Sequence, residues 1–177
     1  MGINYQNLDD ITRKYMTEEM ALGDHYISPR LTSQGQAAWP GLMQQAAKLH
    51  DDDWLAQQLL GLGYLRGDES YTRNGKIYSR RINQANASQQ LGEGEFNRYY
   101  VRGLCVRAKA EGKTSLLVYR GKEVSHPRPE SEAKIGSSVS VDLMLPILRQ
   151  NDFVAIEEAL GVPGGPNSGL TCKLPSA

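Results

Sequence analysis

Apolar positions between residues 96 and 108 recur at intervals of three and four, the spacing of one helix face. The pattern predicts a helix that ends at Gly112, because glycine readily adopts the left-handed conformation of a C-cap. Gly103 interrupts this helix at a cost of about 1 kcal/mol relative to alanine, which predicts a close helix crossing there, with a kink as the alternative. The positions that form the stripe are Phe96, Tyr100, Val101, Leu104, Cys105 and Ala108.

A strand and a line of basic side chains accompany this predicted helix. The apolar run LLVY at residues 116–119 is too short for a helix and is typical of a buried strand. Arg98, Arg102 and Lys109 fall on one line of the helix, beside the apolar stripe. We therefore predict that residues 96–120 form the folding centre, with a basic strip along one side.

Two amphipathic helices are predicted in the first 50 residues. Asn7 with Asp10 resembles a capping box for the first, which Gly23 closes. Thr32 or Ser33 begins the second helical region, and Pro40 either kinks it or starts a new helix. The faces are Leu8, Ile11, Tyr15 and Leu22, flanked by Met16 and Met20, in the first helix, and Trp39, Leu42, Met43, Ala46 and Leu49 in the second.

Three consecutive aspartates, residues 51–53, precede the apolar positions of a third helix. Carboxylates beside His50 can suggest a divalent metal site, but no spacing in the chain supplies the further ligands that such a site needs. Aspartates are also the expected cap and first-turn residues of a helix, where the helix dipole stabilises them. We interpret them as capping residues and predict no bound metal.

The dipeptide Asn74-Gly75 between two extended segments predicts a hairpin with a two-residue type I′ turn. This register places Tyr71 opposite Tyr78 and Arg73 opposite Lys76. Facing like charges are unfavourable unless an anionic group lies over them. With the two arginines that follow, residues 71–81 form a basic hairpin that either contacts nucleic acid or an acidic partner, or is simply solvated.

The remaining segments give a single helical domain over residues 1–160 and an extended C-terminal arm over residues 161–177. Residues 84–95 are polar and lead into the central helix, and two short helices follow around residues 141–148 and 153–160. The glycine- and proline-rich end is either disordered or lies along another surface. The predicted class is α+β and mostly α-helical. The inter-subunit candidates on the arm are Val162, Pro163, Pro166, Leu170 and Leu174.

The net charge is zero, so the information lies in how the charges are distributed along the chain. Residues 1–65 carry 4 basic and 8 acidic side chains, residues 66–128 carry 13 and 6, and residues 129–177 carry 3 and 6. The basic middle can face phosphates, can face the acidic ends of a neighbouring copy in a ring, or can mix with the acidic groups on one folded surface. These three alternatives stay open.

Composition and motifs exclude several classes. Two cysteines in 177 residues favour a reducing compartment, and no apolar run is long enough to span a membrane. The amino-terminal residues lack the pattern of a signal peptide, so we expect synthesis in the cytoplasm. No nucleophile elbow, P-loop, dinucleotide fingerprint or metal-ligand pair is present, and His126 lies among prolines with no catalytic partner in view. We predict a protein that is not an enzyme and binds no cofactor.

Three segments resemble proteins encoded by tailed phages and prophages that carry no assigned function. These are FNRYYVRGLCVRAKAEG at residues 96–112, VYRGKEVSHPRPESEAKIG at 118–136 and ALGVPGGPNSGLTCKLP at 159–175. The resemblance implies a phage setting, with synthesis in the host cytoplasm and a place in the virion. It covers about the last half of the chain and includes no catalytic motif.

Within that setting, the build is similar to that of a head-to-tail adaptor, an analogy of architecture rather than of motif. We expect a ring-forming homo-oligomer that contacts the portal or other virion proteins. Non-specific contact with DNA is a further option. The alternative is a nucleic-acid-binding phage protein, a packaging or regulatory factor. The partner- or DNA-facing candidates are Arg73, Lys76, Arg80, Arg81, Arg98 and Arg102.

Overall fold

The computed structural model describes residues 2–23, 25–150 and 168–176. About half of these residues are helical, and the prediction of a mostly helical α+β fold is confirmed. The described elements are α1 (Asp10–Ala21), α2 (Ser33–Leu49), α3 (Asp52–Gly61), β1 (Asp68–Arg73), β2 (Lys76–Arg81), α4 (Gln84–Ala110), β3 (Ser115–Arg120), α5 (Pro129–Glu132), β4 (Ser138–Ser140), α6 (Val141–Arg149) and β5 (Leu170–Lys173). No helix within these ranges is long and apolar enough to cross a membrane.

Helix α4 is the centre of the fold, as the sequence predicts. Helices α1, α3 and α6 and the sheet strands β3 and β5 pack around it. All eight residues from Arg98 to Cys105 are buried, so this part of the helix is enclosed on every side. A central helix of this kind has no solvent-facing strip in its middle turns.

The central helix also includes residues 84–95, the polar segment predicted to lead into it. The helix begins at Gln84, after Asn83 caps it by accepting a hydrogen bond from the Asn86 backbone N–H. The glycine at 92 allows close approach to α3, because a Cβ there would lie 3.0 Å from the Asp52 carbonyl oxygen. Small and polar residues therefore serve helix packing here.

Gly103 marks the crossing of α1 over α4, which confirms the expectation of close packing. A Cβ at this position would lie 2.9 Å from Met16 Cγ and 3.2 Å from the Thr12 carbonyl oxygen. The glycine lets the two helix backbones approach each other more closely than any side chain would permit.

The sequence predicted the helix caps more accurately than it predicted which helix face is buried. Thr32 and Asp51 cap α2 and α3 as predicted, whereas α1 is capped by Asp9 rather than by Asn7. The predicted face of α1 was wrong, since Ile11 is 52 % exposed and Met16 is completely buried. The crossing at Gly103 determines which side of α1 faces the core. The spacing of apolar residues along α1 does not by itself predict that side.

The end of the chain corrects the prediction of an inter-subunit arm. Strand β5 pairs antiparallel with β3, and Leu170 stands opposite Arg120 and is buried in the core of its own chain. Leu174 packs against the same core. Val162, Pro163 and Pro166 lie outside the described residues, as does the helix predicted around residues 153–160.

Candidate interaction surface on the hairpin

Strands β1 and β2 form the predicted hairpin. Asn74 and Gly75 occupy the turn with φ angles of 51° and 73°, the left-handed values that a type I′ turn requires. Tyr71 stands opposite Tyr78 and Arg73 opposite Lys76, so the predicted register is confirmed. The turn dipeptide was therefore a sufficient sequence signal for this element and its register.

Alternation along the two strands gives the hairpin two different faces. One face, which we call the aromatic face, carries the pairs Glu69–Arg80, Tyr71–Tyr78 and Arg73–Lys76. The two tyrosine rings stack with their centroids 5.6 Å apart, and the Arg80 guanidinium lies 5.4 Å from the Tyr71 ring centroid. The opposite face carries Asp68–Arg81, Ser70–Ser79 and Thr72–Ile77.

Glu69 holds the base of the hairpin to the rest of the molecule. Its carboxylate accepts hydrogen bonds from Arg30 Nε at 2.8 Å and from Arg80 Nε at 2.7 Å. Hydrogen bonds from these two arginines lower the pKa of Glu69. The ion pairs fix the hairpin at its base and leave its turn end unsupported by them.

The hairpin exposes an unusual amount of apolar surface for a segment with so many charges. Every residue of β1 and β2 is exposed except Glu69. Ile77 is 78 % exposed, Tyr78 43 % and Tyr71 39 %. A two-stranded hairpin has little stability of its own, and apolar surface that stays in water adds no hydrophobic stabilisation to it. This composition is typical of a surface that another molecule covers.

The basic middle of the sequence is mostly neutralised by acidic side chains of the same chain. Eight of its thirteen basic side chains pair with carboxylates of the same chain, namely Arg80, Arg98, Arg102, Arg107, Lys109, Lys113, Arg120 and Lys122. The other five, Arg66, Arg73, Lys76, Arg81 and Arg128, make no ion pair with a described residue, and Arg73, Lys76 and Arg81 of these lie on the hairpin. The positive charge that remains for a partner is therefore concentrated on the hairpin.

Arg98 and Arg102 are corrected from surface candidates to core residues. They are 5 % and 2 % exposed. Arg98 Nη2 donates to Glu95 at 2.6 Å, and Arg102 Nε donates to Glu19 at 3.0 Å. The even spacing of these arginines places them on a helix line, but that line faces buried carboxylates of α1 and of α4 itself.

Glu19 is the centre of the larger of these two buried clusters. Arg102 from α4 and Arg149 from α6 both donate to its carboxylate, the second at 2.6 Å. Burial opposes ionisation of Glu19, yet the hydrogen bonds from Arg149 and Arg102 outweigh it and lower its pKa. The Arg102 guanidinium also lies 4.5 Å from the Tyr99 ring centroid. This network joins three helices, and its Glu19 and Arg102 side chains are buried, whereas Arg149 is partly exposed.

A cavity of about 580 Å³ lies beside α4 and is the second candidate site. Its described walls are mainly apolar, with Leu91, Val101 and Leu148 among them. Glu95 and Arg98 also border it, but they are already paired with each other at 2.6 Å. The described walls thus show no convergent set of groups that favours one class of ligand.

Elsewhere, the described residues show neither a metal site nor a reactive thiol. No group of three histidine, cysteine, aspartate or glutamate side chains within them could hold a metal ion. Asp51 accepts from the Trp54 backbone N–H, in agreement with the capping interpretation. Cys105 and Cys172 are both buried, and burial raises the pKa of each thiol to about 12. Thiols of this kind are poor nucleophiles.

Sequence reasoning missed two features of the hairpin surface. Glu69 was not recognised as its anchor, although the register set by the turn already places it opposite Arg80. The exposure of Ile77 was also not foreseen, because alternation alone does not say whether either face is covered. No family model matches the chain, and no curated protein or solved structure matches it either.

Proposed function

We propose that the protein is a structural subunit of a phage virion, a portal-associated head-to-tail adaptor that assembles into a ring and contacts other virion subunits through its hairpin. The observation that carries the proposal is the exposed hairpin, with its stacked tyrosines, exposed Ile77 and three basic side chains that lack an ion pair within the described chain. The phage setting comes from the resemblance of residues 96–112, 118–136 and 159–175.

The chemistry of the hairpin suits a protein partner. Tyrosine and arginine are the side chains that most often anchor protein interfaces, because they combine large apolar area with hydrogen-bonding groups. The basic turn end complements acidic side chains such as Asp10, Glu18 and Asp51, which are exposed on the same chain. A neighbouring copy would therefore offer the opposite charge, and the electrostatic match would favour a specific orientation.

The proposal is tested by removing the apolar groups of the hairpin. In the variant Tyr71→Ser/Ile77→Ser/Tyr78→Ser we expect loss of binding to purified portal and of incorporation into particles, with an unchanged circular dichroism spectrum. A matched control is Ile11→Ser/Leu22→Ser/Leu143→Ser, which removes three other exposed apolar side chains. The proposal fails if the protein is missing from purified virions, or if the hairpin variant binds portal like the control.

The three basic side chains of the hairpin that make no described ion pair favour nucleic-acid binding as a second candidate function. Three phosphate contacts by Arg73, Lys76 and Arg81 predict a slope of about −3 when the logarithm of the DNA association constant is plotted against that of the salt concentration. The variant Arg73→Glu/Lys76→Glu/Arg81→Glu should abolish this affinity. Binding that depends on these charges but not on Tyr71 and Ile77 would favour this function over the adaptor.

A further inference from the structure

The outer edge of β1 is a hydrogen-bonding surface that no described residue uses. Apart from the pairing with β2, the backbone of β1 makes no hydrogen bond with any described residue. An exposed strand edge is a template for another strand unless charge, proline or covering structure protects it. The two edges of this hairpin differ in charge: β1 reads DESYTR, acidic at its start and basic at its end, whereas β2 reads KIYSRR, basic at both ends.

We infer that β1 pairs with β1 of a second copy of this chain, antiparallel, about a two-fold axis that passes beside Tyr71. In this register Tyr71 of the two copies face each other, and Glu69 of each copy faces Arg73 of the other. Opposite charges directly across an antiparallel ladder stabilise the pairing, and like charges oppose it. The acidic start and basic end of β1 make the strand complementary to itself.

The backbone geometry allows the same register. The residue pair that flanks a two-residue turn is hydrogen-bonded, and hydrogen-bonded pairs then occur at every second position. Arg73 with Lys76 is such a pair, so the N–H and C=O groups of Ser70 and Thr72 point away from β2. In the proposed dimer, Ser70 of each copy stands opposite Thr72 of the other. Four backbone hydrogen bonds then join the two copies.

The β2 edge does not offer the same match. The equivalent two-fold about Tyr78 would place Lys76 opposite Arg80 of the second copy, and this repulsion would occur twice. Pairing through β1 leaves the two β2 edges on the outside of a four-stranded sheet, where their positive charges protect them from further addition. The assembly is therefore closed at two copies, as an isologous contact requires.

This inference rests on the hairpin as the assembly element, which is also the basis of the proposed function. It adds the partner, a second copy, and the edge by which the two copies meet. A two-fold contact does not by itself build a ring, so the dimer is the form of the protein outside the virion. On the aromatic face, the tyrosines at 71 and 78 of both copies would form one row of four rings across the sheet.

Matched proline variants test which edge is used. Ser70 and Ser79 stand opposite each other in the hairpin, and both are exposed. Each N–H points away from the partner strand, so proline at either site keeps the hairpin ladder and removes one donor from one outer edge. We expect Ser70→Pro to raise the dimer dissociation constant at least tenfold in sedimentation equilibrium, and Ser79→Pro to leave it unchanged. The reverse order would overturn the inference.

Site-specific cross-linking tests the register. The Cα atoms of a directly opposed, non-hydrogen-bonded pair are about 4.5 Å apart, within the range that a disulfide spans. Tyr71→Cys should therefore form a covalent dimer with oxidised glutathione, and Tyr78→Cys should not; the two native thiols are buried. If Tyr71→Cys fails to cross-link while the wild-type protein still assembles through its hairpin, the edge pairing is wrong and the adaptor proposal survives. If the hairpin has no effect on assembly, both are wrong.

Discussion

At the scale of single residues, the arginines of α4 contribute to stability rather than to binding. Arg102 is 2 % exposed and shares the Glu19 carboxylate with Arg149. Removing one member of a buried charge cluster leaves the others without full compensation, which costs more than the intact pair contributes. Arg73, in contrast, is exposed on the hairpin. The two arginines belong to the same basic third of the sequence and have opposite environments.

We expect Arg102→Met to lower the free energy of unfolding by about 3 kcal/mol, measured by urea denaturation. The matched control Arg73→Met should change it by less than about 0.5 kcal/mol, because surface substitutions away from special features have small effects. Equal effects of the two substitutions would contradict the buried position of Arg102.

Asp52 is a buried carboxylate with an unusual titration. It is 1 % exposed, and its Oδ2 accepts a hydrogen bond from the Ile3 backbone N–H at 3.0 Å. Burial and the nearby negative charge of Glu93 raise its pKa to about 6. Because this pKa exceeds the value of the unfolded chain, the folded state binds a proton more tightly. The resulting stability is complete below about pH 4 and is lost as the pH rises through 6.

The variant Asp52→Asn isolates this effect, since it removes one titrating group and keeps an oxygen acceptor for Ile3. A pKa difference of about 2 corresponds to about 3 kcal/mol. We therefore expect the unfolding free energy of the variant, relative to that of the wild type, to increase by about this amount between pH 4 and pH 7. Urea denaturation at each pH measures it. A difference that does not vary with pH would show that Asp52 titrates normally.

At the scale of elements, Gly103 and Gly94 make a matched pair on α4. A Cβ at 103 would press on Met16 and Thr12 of α1, whereas a Cβ at 94 meets no atom within 4 Å. We expect Gly94→Ala to raise the unfolding free energy by up to about 1 kcal/mol through helix propensity. Gly103→Ala should instead lower it by about 1–3 kcal/mol through overpacking. Thermal denaturation of both variants checks this, and stabilisation by Gly103→Ala would refute the close crossing.

Sequence reasoning recovered the elements whose signals are local. The turn at Asn74-Gly75 set the hairpin and its register, and Gly112 ended α4 with a φ of 70°. It missed the first three turns of α4, because their polar and glycine-rich residues carry no apolar stripe. In those turns the burial of residues such as Gly92 depends on α3, which packs against them from a distant part of the chain.

The candidate site was partly recovered for the same reason. Arg73, Lys76, Arg80 and Arg81 lie on the hairpin as predicted, since the turn fixes them. Arg98 and Arg102 were misplaced, because the sequence shows a basic line without showing the acidic partners that cover it. Tertiary packing determines which carboxylates these arginines meet. The spacing of residues along one helix contains no information about such partners.

At the scale of the whole molecule, the amino-terminal residues bond to β3 and to Gly121 directly after it, and the carboxy-terminal residues pair with β3 through β5. The Asn4 backbone N–H donates to the Gly121 carbonyl at 2.9 Å, and the Tyr119 hydroxyl donates to the Asn4 carbonyl at 2.6 Å. From the other end, Leu174 N–H donates to the Asn7 side chain at 2.9 Å. Residues near the two ends of the chain are thus joined to each other and to the sheet that contains β3 and β5.

A chain that ends at residue 167 should therefore be destabilised rather than merely shortened. It loses β5 and the burial of Leu170 and Cys172, which amounts to roughly 3 kcal/mol. A chain that ends at Pro175 keeps the strand and is the control. Urea denaturation compares the two. An unchanged midpoint in the shorter chain would favour the extended arm that the sequence suggested.

The central claim is that the hairpin is the element through which this protein assembles. The most direct test is the molar mass in solution, measured by sedimentation equilibrium at micromolar concentration for the wild type and for Tyr71→Ser/Ile77→Ser/Tyr78→Ser. We predict a mass of at least two copies for the wild type and a folded monomer for the variant. The same mass for both proteins would contradict the claim.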